Sequence, residues 1–132
     1  MKVSEIGEFG LIDLLAKTVN SSQGKRVTPR QQPVIGIGDD AAVWDGEIST
    51  QLATVDSLVQ DVHFPLDTVS WKEFGWKALA VNLSDIATME GLPRYALIAP
   101  ALSSNTEVDD ITALYAGMIK LAQRSEGEDY EN

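Results

Sequence analysis

No cysteine occurs among the 132 residues, so disulfide staples and thiolate metal sites are excluded. A single histidine cannot build a zinc site of the usual kind. Any metal would have to be held by oxygen, which points to magnesium, calcium or manganese. Basic residues are scarce: 10 Lys and Arg face 20 Asp and Glu, giving a formal net charge of -10. That balance argues against a nucleic-acid partner, whose phosphates demand a basic surface. It leaves open a small phosphate ligand reached through a metal ion. No apolar run is long enough to span a membrane, and no basic start with an apolar core marks a secretory signal. The reading from these absences is a cytoplasmic protein. What remains is 44% hydrophobic and 23% charged, the profile of a globular domain with a sizeable core.

Periodicity divides the chain. Ser4 to Val19 reads as a helix, with Ile6, Phe9, Ile12 and Leu15 on one face and Leu11 beside them. Residues 19–33 are polar, contain two prolines and read as a mobile loop. Val34 to Ile37, Ala41 to Trp44 and Gln51 to Val59 read as strands, with Asp45-Gly46 as a hairpin turn. Ser70 to Met89 carries the clearest helical signal, opened by the capping-box pair Ser70 and Glu73 and stopped by Gly91 and Pro93. Tyr95 to Ala101 is strand-like. Thr106 to Arg124 reads as a third helix with Ile111, Leu114, Met118 and Leu121 as its stripe, and 125–132 as a frayed acidic tail. The expected fold is therefore α+β, an α/β sandwich with a mixed sheet and helices on one face. A helix in this order ordinarily leads into another strand, and one is expected to be missing.

Three acidic clusters fall on successive elements. In Gly36-Ile37-Gly38-Asp39-Asp40-Ala41-Ala42, the glycine spacing superficially fits a dinucleotide fingerprint. Two adjacent aspartates would repel a pyrophosphate there, and no helix follows. A metal-binding turn or a turn in which Asp39 or Asp40 caps backbone amides remains. Asp56, within Thr54-Val55-Asp56-Ser57, interrupts a strand-like run and either seeks a cation or lies in solvent at a strand end. His63, between Val62 and Phe64, is either structural or in contact with an anion. Asn82 and Asp85 share a helix face beside an apolar stripe, as either a solvated flank or part of a site. Together, Asp40, Asp56 and Asp85 suit an oxygen-ligand magnesium site for a phosphate substrate.

These blocks, with Gly7-Glu8-Phe9-x-Leu11-Ile12 before them and Lys77 to Ala87 as the last, resemble the thiamine-monophosphate kinases. Those enzymes belong to the aminoimidazole ribonucleotide synthetase superfamily, and the resemblance runs from about residue 4 to about residue 102. It implies ATP-dependent phosphorylation of thiamine monophosphate to the diphosphate. It also implies an amino-terminal ATP- and magnesium-binding domain over residues 1–132 that dimerises through its sheet. Carried over by motif, Asp40, Thr54, Asp56 and Asp85 would be magnesium ligands. Asp39 would be a less direct one, Val55 could offer only its backbone carbonyl, and His63 would lie at the thiamine phosphate.

Two residues depart from the pattern: Asp61 and Glu90 stand where the family commonly has glycine. A later Gly-Gly-Asp-Thr strand and a second domain of the family are absent, so the chain is expected to be an inactive fragment. Rival readings are a selenophosphate or aminoimidazole ribonucleotide synthetase, or a non-catalytic metal-binding or dimerisation module. A calcium module lacks its twelve-residue loop signature. Lys25, Arg26 and Arg30 suggest that the loop orders over nucleotide.

Overall fold

A computed structural model describes residues 1–23, 37–38, 41–46, 49–58 and 69–129. Three helices make up its regular structure: α1 (Val3–Gln23), α2 (Trp71–Thr88) and α3 (Val108–Asp129). The chain divides into two compact units, Met1–Gln51 with Arg94–Val108, and Leu52–Pro93 with Asp109–Asn132.

The expected α+β sandwich is not what forms. Among the described residues no run of sheet forms: Lys2 and Glu107 make an isolated antiparallel bridge, and Val43 makes a lone bridge of its own. Residues 51–58 and 91–103 carry no regular secondary structure. β-Branched content made both segments look like strands, but a strand exists only where a neighbour accepts its ladder of hydrogen bonds. None does so among the described residues, and with the sheet goes the sheet surface expected to carry a dimer. The helices, whose hydrogen bonds are local, lie where periodicity puts them. Of the expected loop, residues 19–23 are the end of α1, and the rest lies outside the described residues. Helix α3 likewise runs past Arg124 to Asp129.

In the first unit, α1 is interrupted at Gly7, whose φ of 71° and ψ of 177° only glycine adopts freely. Leu11 and Leu15 are buried, while Phe9 is 82% exposed. At about 100° per residue, each step of three lags by about 60°, so the run Ile6, Phe9, Ile12, Leu15 spirals halfway around the helix. The i, i+4 pair Leu11 and Leu15 defines the inward face, and Phe9 lies opposite it. The chain start is tied to residues 104–108. Val3 N–H donates to the Thr106 carbonyl at 2.8 Å, and Val108 N–H donates to the Met1 carbonyl at 2.8 Å. Glu107 pairs with Lys2 Nζ and with the terminal amine. Those two cations hold the Glu107 carboxyl below its usual range, the Lys2 hydrogen bond contributing most. Elsewhere in this unit Trp44 and Tyr95 stack with centroids 5.3 Å apart, and the Arg94 guanidinium lies 5.5 Å from the Tyr95 ring.

In the second unit, α2 begins at the predicted cap: Ser70 Oγ accepts from Glu73 N–H at 3.1 Å. It ends with Met89, Glu90 and Gly91 N–H groups donating to the carbonyls of Ile86 and Ala87. Glu90, where glycine was expected, holds a left-handed φ of 60°. Helices α2 and α3 meet at two glycines. A Cβ on Gly75 would lie 1.8 Å from the Leu114 carbonyl oxygen, and one on Gly117 would lie 2.0 Å from that of Lys72. Backbone touches backbone at both points, which brings Ile111, Tyr115, Met118 and Leu121 into the core. Three of these were expected; Tyr115 takes the place foreseen for Leu114, whose backbone instead faces Gly75.

Candidate functional site

Two of the expected site residues come together within the second unit. Asp56 lies on the irregular segment 51–58, Asp85 lies in the last turns of α2, and their carboxyl groups share a hydrogen bond. That bond raises the Asp56 pKa above the ordinary 3.8, with desolvation and the charge of Asp85 adding to the rise. Two carboxylates in contact resist joint ionisation, and they are relieved by a proton or by a cation. Thr54 joins them: its Oγ1 donates to Asp85 Oδ2 at 3.5 Å, a long contact.

Beside the pair is a cleft of about 540 Å³. It is lined by Asp56, Ser57 and Leu58 from the segment and by Ala80, Val81, Ser84 and Asp85 from α2. Spacing explains the helical half. Val81 and Asp85 are four apart and Ser84 three from Val81, so all share one face of α2. Ser57 and Ser84 were not foreseen as site residues, although each adjoins a foreseen aspartate and adds a hydroxyl to the cleft.

The sequence argument assumed an apolar setting that would force the aspartates to seek a cation. The structure gives a different reason. Asp56 and Asp85 are both exposed, and it is their mutual proximity that favours a third party. Asn82 takes no part in the pair, since its Nδ2 donates to the Ala78 carbonyl of its own helix at 2.9 Å. Val55 is 86% exposed beside Thr54 and Asp56. Asp39, Asp40, His63, Asp61 and the basic residues Lys25, Arg26 and Arg30 lie outside the described residues.

Hard divalent cations take oxygen ligands, and Asp56, Asp85 and Thr54 offer carboxylate and hydroxyl oxygens only. Among the described residues no third His, Cys, Asp or Glu joins the two aspartates to make a cluster of three. The pair therefore fits one side of a magnesium site rather than a complete one. No helix among the described residues is long and apolar enough to cross a membrane.

The arrangement defines the protein first as one that brings two carboxyl groups and a hydroxyl, oxygen donors only, together at a helix face. The sequence comparisons then specify the family. Residues 38–128, more than half of the chain, match the AIR synthase related protein, N-terminal domain, and the chain belongs to that family. Among its curated relatives, the thiamine-monophosphate kinase of Bacillus subtilis (strain 168) is 46% identical over 90 residues, covering 67% of this chain and 28% of the relative. That of Aquifex aeolicus (strain VF5) is 38% identical over 118 residues, covering 89% of this chain and 34% of the relative. That of Rhodopirellula baltica is 38% identical over 101 residues, covering 70% and 32%. The chain thus spans about a third of the length of the curated relatives it matches. No solved structure matches it.

Proposed function

We propose that these residues form the nucleotide- and metal-binding amino-terminal part of a cytoplasmic, homodimeric thiamine-monophosphate kinase that makes thiamine diphosphate with ATP. The observation that carries the reading is the Asp56–Asp85 pair with Thr54 beside it. These three side chains stand in a family whose similar relatives are named for this activity.

The reaction forms a bond from a phosphate oxygen of thiamine monophosphate to the γ-phosphorus of ATP and breaks that phosphorus's bond to the β–γ bridging oxygen, releasing ADP. The attacking oxygen is already largely ionised at neutral pH, so no residue of the chain has to remove a proton from it. The requirement is electrostatic: two polyanions must be held together. Asp56, Asp85 and Thr54 would hold magnesium, with Asp40, Asp39 and the Val55 carbonyl as the further donors the resemblance implies. Bound magnesium supplies the positive charge that lets carboxylates and phosphates share one site. The Thr54 hydroxyl orients the Asp85 carboxylate, and His63 is assigned to the thiamine phosphate. This span, about a third of the relatives' length, is expected to bind ligand without turning it over by itself.

The test is calorimetric titration with magnesium and a non-hydrolysable ATP analogue, and then with thiamine monophosphate against other phosphate esters. Magnesium-dependent nucleotide binding that is lost in Asp56→Asn supports the reading. Binding that ignores magnesium or survives the substitution refutes the half-site, and a preference for another phosphate ester would transfer the chain to a different activity within the superfamily.

A further inference from the structure

Hydrogen-bond donors are scarce around the Asp56–Asp85 cleft. Leu58, Ala80 and Val81 are apolar, and Asp56 and Asp85 only accept hydrogen bonds once ionised around a cation. Ser57 and Ser84 are left as the side-chain donors of the lining. The backbone of α2 adds none, because its N–H groups over 80–85 are taken by the helix's own bonds. Other polar side chains of α2 are spent on the same helix: Asn82 Nδ2 donates to the Ala78 carbonyl at 2.9 Å, and Thr88 Oγ1 donates to the Ser84 carbonyl at 2.9 Å. Such a bond is open to any helical serine. Among the described residues the Ser84 hydroxyl makes none, and Ser84 lines the cleft. The cleft, at about 540 Å³, is of the size that small-molecule ligands occupy.

We propose that the Ser57 and Ser84 hydroxyls are the donors that hold a cation-bound phosphate group in this cleft, an inference that rests on the reading of Asp56 and Asp85 as magnesium ligands. A phosphate ester presents acceptor oxygens, and two carboxylates give it nothing to accept from. A cation supplies charge, whereas a hydroxyl donates along one direction and to one oxygen, which fixes how the phosphate is turned. One serine adjoins each aspartate, Ser57 on the irregular segment and Ser84 on α2, so the two walls of the cleft each bring one cation ligand and one phosphate donor. The two duties fall on different side chains and can be removed separately.

The experiment is calorimetric titration of the 132-residue chain with magnesium chloride, and then, at saturating magnesium, with a non-hydrolysable ATP analogue. The Ser57→Ala/Ser84→Ala variant is expected to keep its magnesium affinity within about twofold and to bind the analogue about tenfold or more weakly. Ser57→Thr/Ser84→Thr keeps both hydroxyls and should bind the analogue within about threefold of wild type. Circular dichroism melting reports folding separately, and the single alanine variants, each weaker by about threefold to tenfold, replace the double if it does not fold. Analogue binding unchanged in the double variant, with magnesium binding intact, overturns this proposal alone, as does magnesium binding by the wild-type chain without analogue binding. Magnesium affinity that falls as steeply as analogue affinity would make the serines cation ligands and also overturns it. Absence of magnesium binding by the wild-type chain overturns the half-site reading and this proposal with it.

Discussion

Replacing Gly75 or Gly117 with alanine should destabilise the protein, against the ordinary expectation for a helix interior. Alanine is favoured over glycine there by about 1 kcal/mol. At Gly75, however, the new Cβ would sit 1.8 Å from the Leu114 carbonyl oxygen, a shortfall of 1.6 Å against the 3.4 Å at which ordinary contact begins. The obstacle is backbone in both cases, so no side-chain rotation relieves it. Helices α2 and α3 must separate, and Ile111, Tyr115, Met118 and Leu121 would then lose part of their packing. A gap of 0.5–1 Å already forfeits roughly a quarter to a half of each dispersion contact. Overpacking of this kind costs about 1–3 kcal/mol; with backbone as the obstacle the upper end applies, which outweighs the propensity gain of about 1 kcal/mol and leaves a net loss of up to about 2 kcal/mol. Thermal and urea unfolding of both single variants and the double would measure it. The double should cost less than the sum, because one separation of the helices accommodates both methyl groups. A melting temperature unchanged or raised in Gly75→Ala would refute the close approach of α2 and α3.

Glu90→Gly should stabilise the chain by about 0.5–1 kcal/mol, since a non-glycine residue at a left-handed φ is strained; equal urea midpoints would contradict this. Ser70→Ala removes the cap on the Glu73 amide and should cost about 1 kcal/mol by the same assay, with Ser70→Asp largely restoring it. The raised pKa of Asp56 fixes a pH dependence. Above 3.8 the folded chain retains a proton that the unfolded chain has lost, so this contribution to stability falls as pH rises through the folded value. Asp56→Asn should flatten that arm of the stability curve, measured by melting at stepped pH. At pH 7, magnesium should raise the melting temperature of the wild-type chain and not of this variant.

The helices were readable because their bonding is local and their apolar residues recur at short intervals. Ser70 announced the start of α2, and Ile111, Met118 and Leu121 announced the buried face of α3. The segments around Asp56 and Leu97 were misread because side-chain composition says nothing about whether a pairing partner exists. Asp56 and Asp85 were singled out by residue type and position, with a solvent-exposed setting left open for each; both are exposed, and they acquire their character from each other. Ser57 and Ser84 escaped notice because a serine beside an aspartate is unremarkable in any loop or helix. The glycine contacts did have a signal: Gly75 and Gly117 sit inside helices, where glycine is costly unless another backbone approaches.

The tie between the chain start and Glu107 bears on how the molecule folds. Met1 and Glu107 are 106 residues apart in sequence. Closing a flexible loop of that length costs about 4 kcal/mol of chain entropy. During synthesis, α1 can wind as soon as it emerges, but its first turn stays unanchored until almost the whole described chain has been made. Contact between Gly75 and Leu114 closes a much shorter loop, so the α2–α3 pair can close first. The amino-terminal residues are then the last to be secured and, on unfolding, the first to be released.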